Sequence, residues 1–302
     1  MIGKTRQEPA TESAQAEIPK YESQEFYDPV LGGPRGVLRR PPPPAGKFRH
    51  ARLFAASELA GSIDHYWMVS WDLRGLEPRL VESLPHPNVH VVFERPTSRV
   101  WGVSTGKFSR MLEGKSHVFG IKFTPGGFFP FLGRSVSSVA NRSIPVGQVF
   151  GDGVNGLERA ILATENEDEM KAAADAFLLD RKPQPDKKAD QARQLVERIL
   201  REPQILTVDD FAARTGLSVR SLQRLFSQYV GVSPKWVIRR YRLHELLEQM
   251  HSGKPLDWAR LAVDLGYFDQ AHLINDFKSI TGYAPTEYPG LEVASDSSRR
   301  VS

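Results

Sequence analysis

Along residues 48–141 the apolar positions come in short runs. IDHYWMVSWDL (63–73), NVHVVFE (88–94), SRVWGVS (98–104) and HVFGIKF (117–123) are rich in β-branched and aromatic residues and are bounded by proline, glycine or charge. That texture predicts strands, because such side chains pack on a pleated, half-buried surface. With LPHPN and TPGGFFPFLG between them, the runs predict an antiparallel sandwich or small barrel. From Val154 the period changes. GLERAILAT and DEMKAAADAFLL place apolar residues three and four apart, which predicts helices.

Residues 180–190, DRKPQPDKKAD, hold no large apolar side chain and two prolines, and read as a linker. Everything from there to about Tyr288 reads as helical. In 191–201, Leu195, Ile199 and Leu200 share one face. Thr207 caps VDDFAARTG, two aspartates sit in its first turn, and Gly216 ends it. Ser218 caps a second helix whose stripe is Val219, Leu222, Leu225, Phe226 and Tyr229, and Gly231 stops it with Pro234 following. Two helices joined by a tight, glycine-containing turn make a helix-turn-helix.

The same device recurs about fifty residues later. LDWARLAVDLG is a first helix stopped by Gly266. Asp269 caps the next, whose stripe is Leu273, Ile274, Phe277 and Ile280, and Gly282 ends it before Pro285. Phe226 and Gly231 are spaced as Phe277 and Gly282 are, and Leu222 precedes Phe226 as Leu273 precedes Phe277, so the unit is duplicated. Between the copies, a helix starting at Ser233-Pro234 runs to about His251. Its roughly 18 residues span about 27 Å, which suits two second helices near the roughly 34 Å repeat of the major groove.

The predicted fold is therefore multidomain α+β. Residues 1–46 are a Pro-, Gly- and Glu-rich tail, expected to be disordered, whose RRPPPPAG could alternatively fill a partner's aromatic groove. Residues 47–180 form the β-rich barrel or sandwich, of cupin-like type with flanking helices; 181–190 the linker; 191–289 an all-α domain with two helix-turn-helix units; 290–302 a polar tail.

Charge sharpens this picture. The chain carries a formal net charge of +4. More telling, 211–244 contains Arg214, Arg220, Arg224, Lys235, Arg239, Arg240 and Arg242 and no acidic residue. On the Ser218 helix the outward positions are Arg220, Gln223, Arg224 and Ser227. Arginine reads guanine bidentately and glutamine reads adenine, so this face has the chemistry for base edges. The second unit turns outward Gln270, Ala271, Asn275 and Lys278, with Asp269 and Asp276 nearby, and is less cationic; His272 either faces the groove or packs between helices.

SLQRLF, GVSPKWVIRRYRL and DLGYFDQAHLINDFKSITGYAP resemble the DNA-binding domain of the AraC/XylS family of bacterial transcription regulators, over about a hundred residues. The resemblance implies a seven-helix domain with two helix-turn-helix units joined by a long helix. It implies base reading at Arg220, Gln223 and Arg224, and at Gln270, Ala271 and Asn275. Ser221, Ser227 and Lys278 complete the expected contact set. Relatives often carry arginine where this chain has Asn275, so strong guanine reading is not expected there. Arg239, Arg240 or Arg242 on the long helix would bear on phosphates or on core packing. LPHPNVHVVFE and VFGIKFTPGGFFPFLGR resemble the strand-rich sensor and dimerisation domain of one subgroup. The implied partners are duplex DNA, RNA polymerase as for an activator, a small-molecule effector and a second copy of the chain; no membrane partner is expected.

Other chemistry is narrowed by composition. With no cysteine, thiolate zinc sites, iron–sulfur clusters, disulfides and cysteine nucleophiles are excluded, including the methyl-accepting cysteine that some DNA-repair proteins fuse to such a domain. TPGGFFPFLG lacks the Lys-Ser/Thr of a phosphate loop. His86, His90 and Glu94, with His65 and His117, could sit on barrel strands as metal ligands, so a metal-dependent cupin-like enzyme with an accessory DNA-binding domain is the alternative. The expectation is no metal, no cofactor and no enzyme activity. Trp67, Trp71, Phe93, Trp101 and Phe123 either line a small-molecule pocket or fill the core. The N-terminal stretch MIGKTRQEPATESAQAEIPK has no apolar h-region, and no apolar run reaches membrane-spanning length, so a cytoplasmic protein is expected.

Overall fold

In a computed structural model, which describes residues 37–39, 47–252 and 256–288, the strand-rich N-terminal part is built on two antiparallel sheets. The strands are β1 (Val37–Arg39), β2 (Lys47–Leu53), β3 (Ile63–Asp72), β4 (Arg79–Ser83), β5 (His90–Phe93), β6 (Arg99–Trp101), β7 (Phe108–Leu112), β8 (Lys115–Phe123) and β9 (Ser143–Pro145). A six-stranded sheet runs β2-β3-β8-β5-β6-β9 and a three-stranded one runs β1-β4-β7. Of these strands, β3, β5, β6 and β8 are those read from the apolar runs. The others are short or, like KFRHARL in β2, interleaved with charge.

Side-chain alternation splits the large sheet into two apolar faces. Tyr66, Met68, Val91, Phe93, Phe119 and Ile121 are buried on one face, in a core shared with helices. On the other, Trp67, Val69, Trp71, Val92 and Val118 meet Val81 and Leu112 of the small sheet. Gly120 leaves room there for an indole: a Cβ would lie 2.0 Å from Trp67 Cε2. Of the sandwich and the barrel expected, the structure has the open form: two sheets packed face to face, neither closed on itself. β2 and β9 end the large sheet without meeting. Packing of the helix Glu167–Asp180 against β2 manages that edge instead.

The helices of this part are α1 (Phe129–Leu132), α2 (Gly147–Phe150), α3 (Val154–Ala163) and α4 (Glu167–Asp180). Asp175 of α4 accepts hydrogen bonds from Ala56 N at 3.0 Å and from Tyr66 Oη at 2.7 Å. It thereby ties α4 to the sheet.

The C-terminal part contains α5 (Lys187–Arg201), α6 (Val208–Thr215), α7 (Val219–Leu225) with a π-helical last turn (Phe226–Val230), α8 (Pro234–His251), α9 (Trp258–Asp264) and α10 (Gln270–Thr281). α5 begins four residues before the periodicity alone suggests, because Asp186 caps it by accepting from Lys188 N and Ala189 N. The stretch read as a linker is thus helical from Lys187, with Ala189 buried. Within the stretch expected as an N-terminal tail, β1 pairs with β4 and Leu38 is fully buried. This corrects that expectation for residues 37–39, where burial of a leucine against the helical part holds a short strand. The remainder of 1–46 and residues 290–302 lie outside the described residues. Among those described, no helix is long and apolar enough to cross a membrane.

One continuous core runs from the inner face of the large sheet through α3 and α4 to α5, α6, α7 and the first half of α8. A second joins the later half of α8 to α9 and α10, and takes in Leu38 and Leu84 from the strand-rich part. Each helix-turn-helix therefore rests against its own portion of the N-terminal domain.

Candidate nucleic-acid interface

The first helix-turn-helix is set by caps and a stripe. Thr207 Oγ1 accepts from Asp210 N at 3.0 Å and Ser218 Oγ from Ser221 N at 3.2 Å. Leu222, Phe226 and Tyr229 are buried, and Phe211 meets Phe226 edge-on at 6.2 Å between ring centroids. Gly231, at φ 96°, ends the helix in the left-handed region that only glycine enters without strain. With that stripe buried, Arg220, Gln223, Arg224 and Ser227 are exposed together. Ser221 is half-buried, and its hydroxyl lies 2.9 Å from the capping hydroxyl of Ser218, so it is engaged in holding the helix start.

The second unit repeats the arrangement. Asp257 caps α9 and Asp269 caps α10; Leu273 and Phe277 are buried; Gln270, Ala271, Asn275 and Lys278 are exposed. His272 is exposed, with its ring against Tyr267 at 5.2 Å. Phe268 is 90% exposed immediately before the Asp269 cap. The only sign of it in the sequence is an aromatic residue directly before the capping aspartate.

The acid-free stretch divides sharply by environment. Arg214 reaches outside it, to Asp210 at 2.8 Å and Glu202 at 3.6 Å. Arg239 Nε donates to the buried Asp276 at 2.7 Å, and Tyr267 Oη donates to the same carboxylate at 2.7 Å, fixing α10 to α8. Arg240 is 1% exposed; it donates to Thr105 O at 2.6 Å and stacks over Trp236. Burial draws its pKa down to about 10, with Arg239 adding repulsion. Arg242 donates to Leu206 O. The three arginines of the long helix thus hold the fold, which decides for packing between the two roles the resemblance left open. Arg220, Arg224 and Lys235 remain exposed with no ion partner among the described residues. They stand on or beside the Gln223 face.

The histidines do not assemble. His90, opposite Lys122 on β8, accepts from Trp67 Nε1 at 3.2 Å, whereas His86 packs its ring 4.3 Å from His244 of α8. Glu94 pairs with Arg110. Among the described residues no group of three or more His, Cys, Asp or Glu side chains is arranged to hold a metal. Of the aromatic residues considered for a pocket, Phe93 and Phe123 are fully buried in the core and Trp71 nearly so, while Trp101 on β6 is 42% exposed.

Residues 211–289 match the family described as a helix-turn-helix domain, and residues 51–145 match one described as a domain of unknown function (DUF6597). The comparison with curated proteins gives no match. Among solved structures the chain is similar to ToxT from Vibrio cholerae O395, at 12% identity over 81% of this chain and 96% of that one, with a TM-score of 0.34. It is similar too to unsaturated fatty acid bound wild-type ToxT from Vibrio cholerae strain SCE256, at 14% identity over 80% and 91%, TM-score 0.35. ToxT from strain O395 bound to (E)-4-(8-methylnaphthalen-1-yl)but-3-enoic acid is a third, at 13% identity over 82% and 96%, TM-score 0.35. Likeness at this level assigns neither a ligand nor a residue role to this chain.

Proposed function

We propose that the chain, which carries a helix-turn-helix domain at 211–289, is a DNA-binding transcription regulator of the AraC type, that α7 and α10 enter successive major grooves and that α7 supplies most of the sequence reading. The observation that carries this is the sorting of the cations. Four of the seven in 211–244 are bound internally, and Arg220 and Arg224 are left unpaired beside Gln223 on one exposed helix face. Unpaired guanidiniums break no ion pair on meeting O6 and N7 of guanine, and each planar fork makes two hydrogen bonds for one side chain ordered.

Ser227 extends that face, and Ser221 stands at its start, where it also secures the cap. On α10, Gln270, Ala271, Asn275 and Lys278 offer fewer charges, which suits adenine or thymine contact and one phosphate rather than guanine reading. The strand-rich domain sets the position of both units through the shared cores, and is the part through which an effector or a second copy would act. RNA polymerase is the proposed protein partner, with the chain acting as an activator rather than as an enzyme.

Arg224→Ala should weaken binding to a cognate duplex by about 1–3 kcal/mol and relax preference at one base position. Titration of the full chain against sites recovered by genome-wide mapping measures this. Unchanged affinity and unchanged base preference would remove α7 as the reading helix.

A further inference from the structure

TPGGFFPFLGR has no part in the reading above, although it reaches the reading helix. Its second half forms α1, ends at Gly133 and passes into a helical turn at 136–139. Three contacts clamp it to the last turn of the α7 unit. The Phe129 ring lies 4.2 Å from that of Tyr229. Ser135 Oγ donates to Ser227 O at 3.1 Å. Val136 is buried so close to Gly231 that a Cβ there would lie 2.9 Å from Val136 Cγ1. Between this segment and the helix is an open cleft of about 410 Å³, lined by Arg134, Ser135, Arg224, Ser227 and Gln228 among others.

No carboxylate lines that cleft. Arg134 is exposed and has no ion partner among the described residues, like Arg224 across from it. Two guanidiniums facing one opening without an acid repel each other until an anion enters. Hydroxyl and amide groups beside them complete the donor set that a phosphate takes. The opening adjoins the helix face proposed to meet the bases, beside which the sugar–phosphate backbone of a bound duplex would run.

Resting on that reading, we propose that Arg134 is a DNA-contacting residue: the strand-rich domain itself grips a backbone phosphate beside the bases read by α7. Phosphate contacts fix register without carrying sequence information. The N-terminal domain would therefore help position the reading helix, and any signal that shifts residues 129–136 would reach DNA through this contact.

The test uses the full chain with Arg134→Ala and Arg134→Glu, a cognate duplex and an unrelated duplex of equal length, and a salt series. Arg134→Ala should weaken both duplexes by the same several-fold factor. It should reduce the slope of log affinity against log salt by about 0.9, the signature of one phosphate, and leave their ratio unchanged. Arg134→Glu should lose more. Because the side chain is exposed and unpaired, melting temperatures should match the parent, which separates the effect from misfolding. Unchanged affinity and slope for both variants would overturn the proposal while Arg224→Ala still reports base reading. Tighter binding would overturn it too, by showing that the segment obstructs the helix. If neither Arg134 nor Arg224 matters, the reading of α7 fails instead.

Discussion

Arginines that look alike in the sequence do different work according to what stands within reach of each, and Arg239 shows the cost most clearly. Its guanidinium side chain is 46% exposed while its partner, the Asp276 side chain, is 2% exposed. Removing either end is therefore not equivalent. Arg239→Ala strands a buried carboxylate with only Tyr267 Oη to satisfy it, and should cost about 3–5 kcal/mol. Asp276→Asn leaves an arginine that water can solvate and keeps an acceptor for Tyr267, and should cost about 1–2 kcal/mol. Urea denaturation of the two single variants and the double variant checks the asymmetry. The double should be more stable than Arg239→Ala alone, since the orphaned charge is gone. None of this was legible in VIRRYRL, where three arginines on one helix resemble a phosphate-binding face. Burial of Arg240 and the acceptor of Arg242 are set by residues more than thirty positions away, Thr105 and Leu206.

Among elements, those with local signals were the ones read correctly from sequence. Caps, apolar stripes and left-handed glycines lie within a turn of what they control, so both helix-turn-helix units were visible. β1, β4, β7 and β9 were not: none is shorter than β6, but RLVES, FSRML and SIP mix polar or charged residues with few β-branched or aromatic ones, and VLR lies in a Pro- and Gly-rich stretch. Openness of the large sheet depends on an edge covered by a remote helix. The outer face of that sheet yields a pH prediction. His65 stands opposite Lys122, and Lys122 opposite His90, with His50 and Arg52 alongside. Burial, with Lys122, Arg52 and the neighbouring rings adding repulsion and Asp64 opposing it at His65 and His90, holds His50 and His65 at about 4 and His90 at about 3. The unfolded chain takes up protons near pH 6.5 and the folded one does not, so stability is full above about 6.5 and falls as pH drops toward 4. Each histidine can contribute up to about 1.4 kcal/mol per pH unit over that window. Burial would raise the Asp64 carboxyl, but Lys122 at 2.8 Å outweighs it and holds it well below its usual range. Its contribution is lost only at still lower pH. Urea midpoints at pH 7 and pH 5 should differ accordingly, and His90→Gln should flatten the difference.

Across the whole molecule, the question is whether the helix-turn-helix domain moves as an independent unit or as part of the strand-rich domain. The structure binds them at several points. Arg240 of α8 donates to Thr105 O, Tyr283 Oη donates to Glu82 Oε2 at 2.6 Å, and His244 Nε2 lies 3.2 Å from Leu84 O. Leu222 and Phe226 belong to the same core as Phe119 and Ile121. A core shared in this way couples unfolding, because opening one side exposes apolar surface on the other. Leu222→Ala should cost about 2–5 kcal/mol through the lost methylenes and the cavity. The cost should appear on both sides. Native-state hydrogen exchange should show the slowest amides of β3 and β8 accelerating by a factor comparable to those of α8, although Leu222 lies on α7. If only α5 to α8 accelerate, the domains open separately, and the strands would be coupled to α7 through local contacts such as those of residues 129–136 rather than through a common core. If both accelerate, a perturbation anywhere in the shared core shifts the pose of α7.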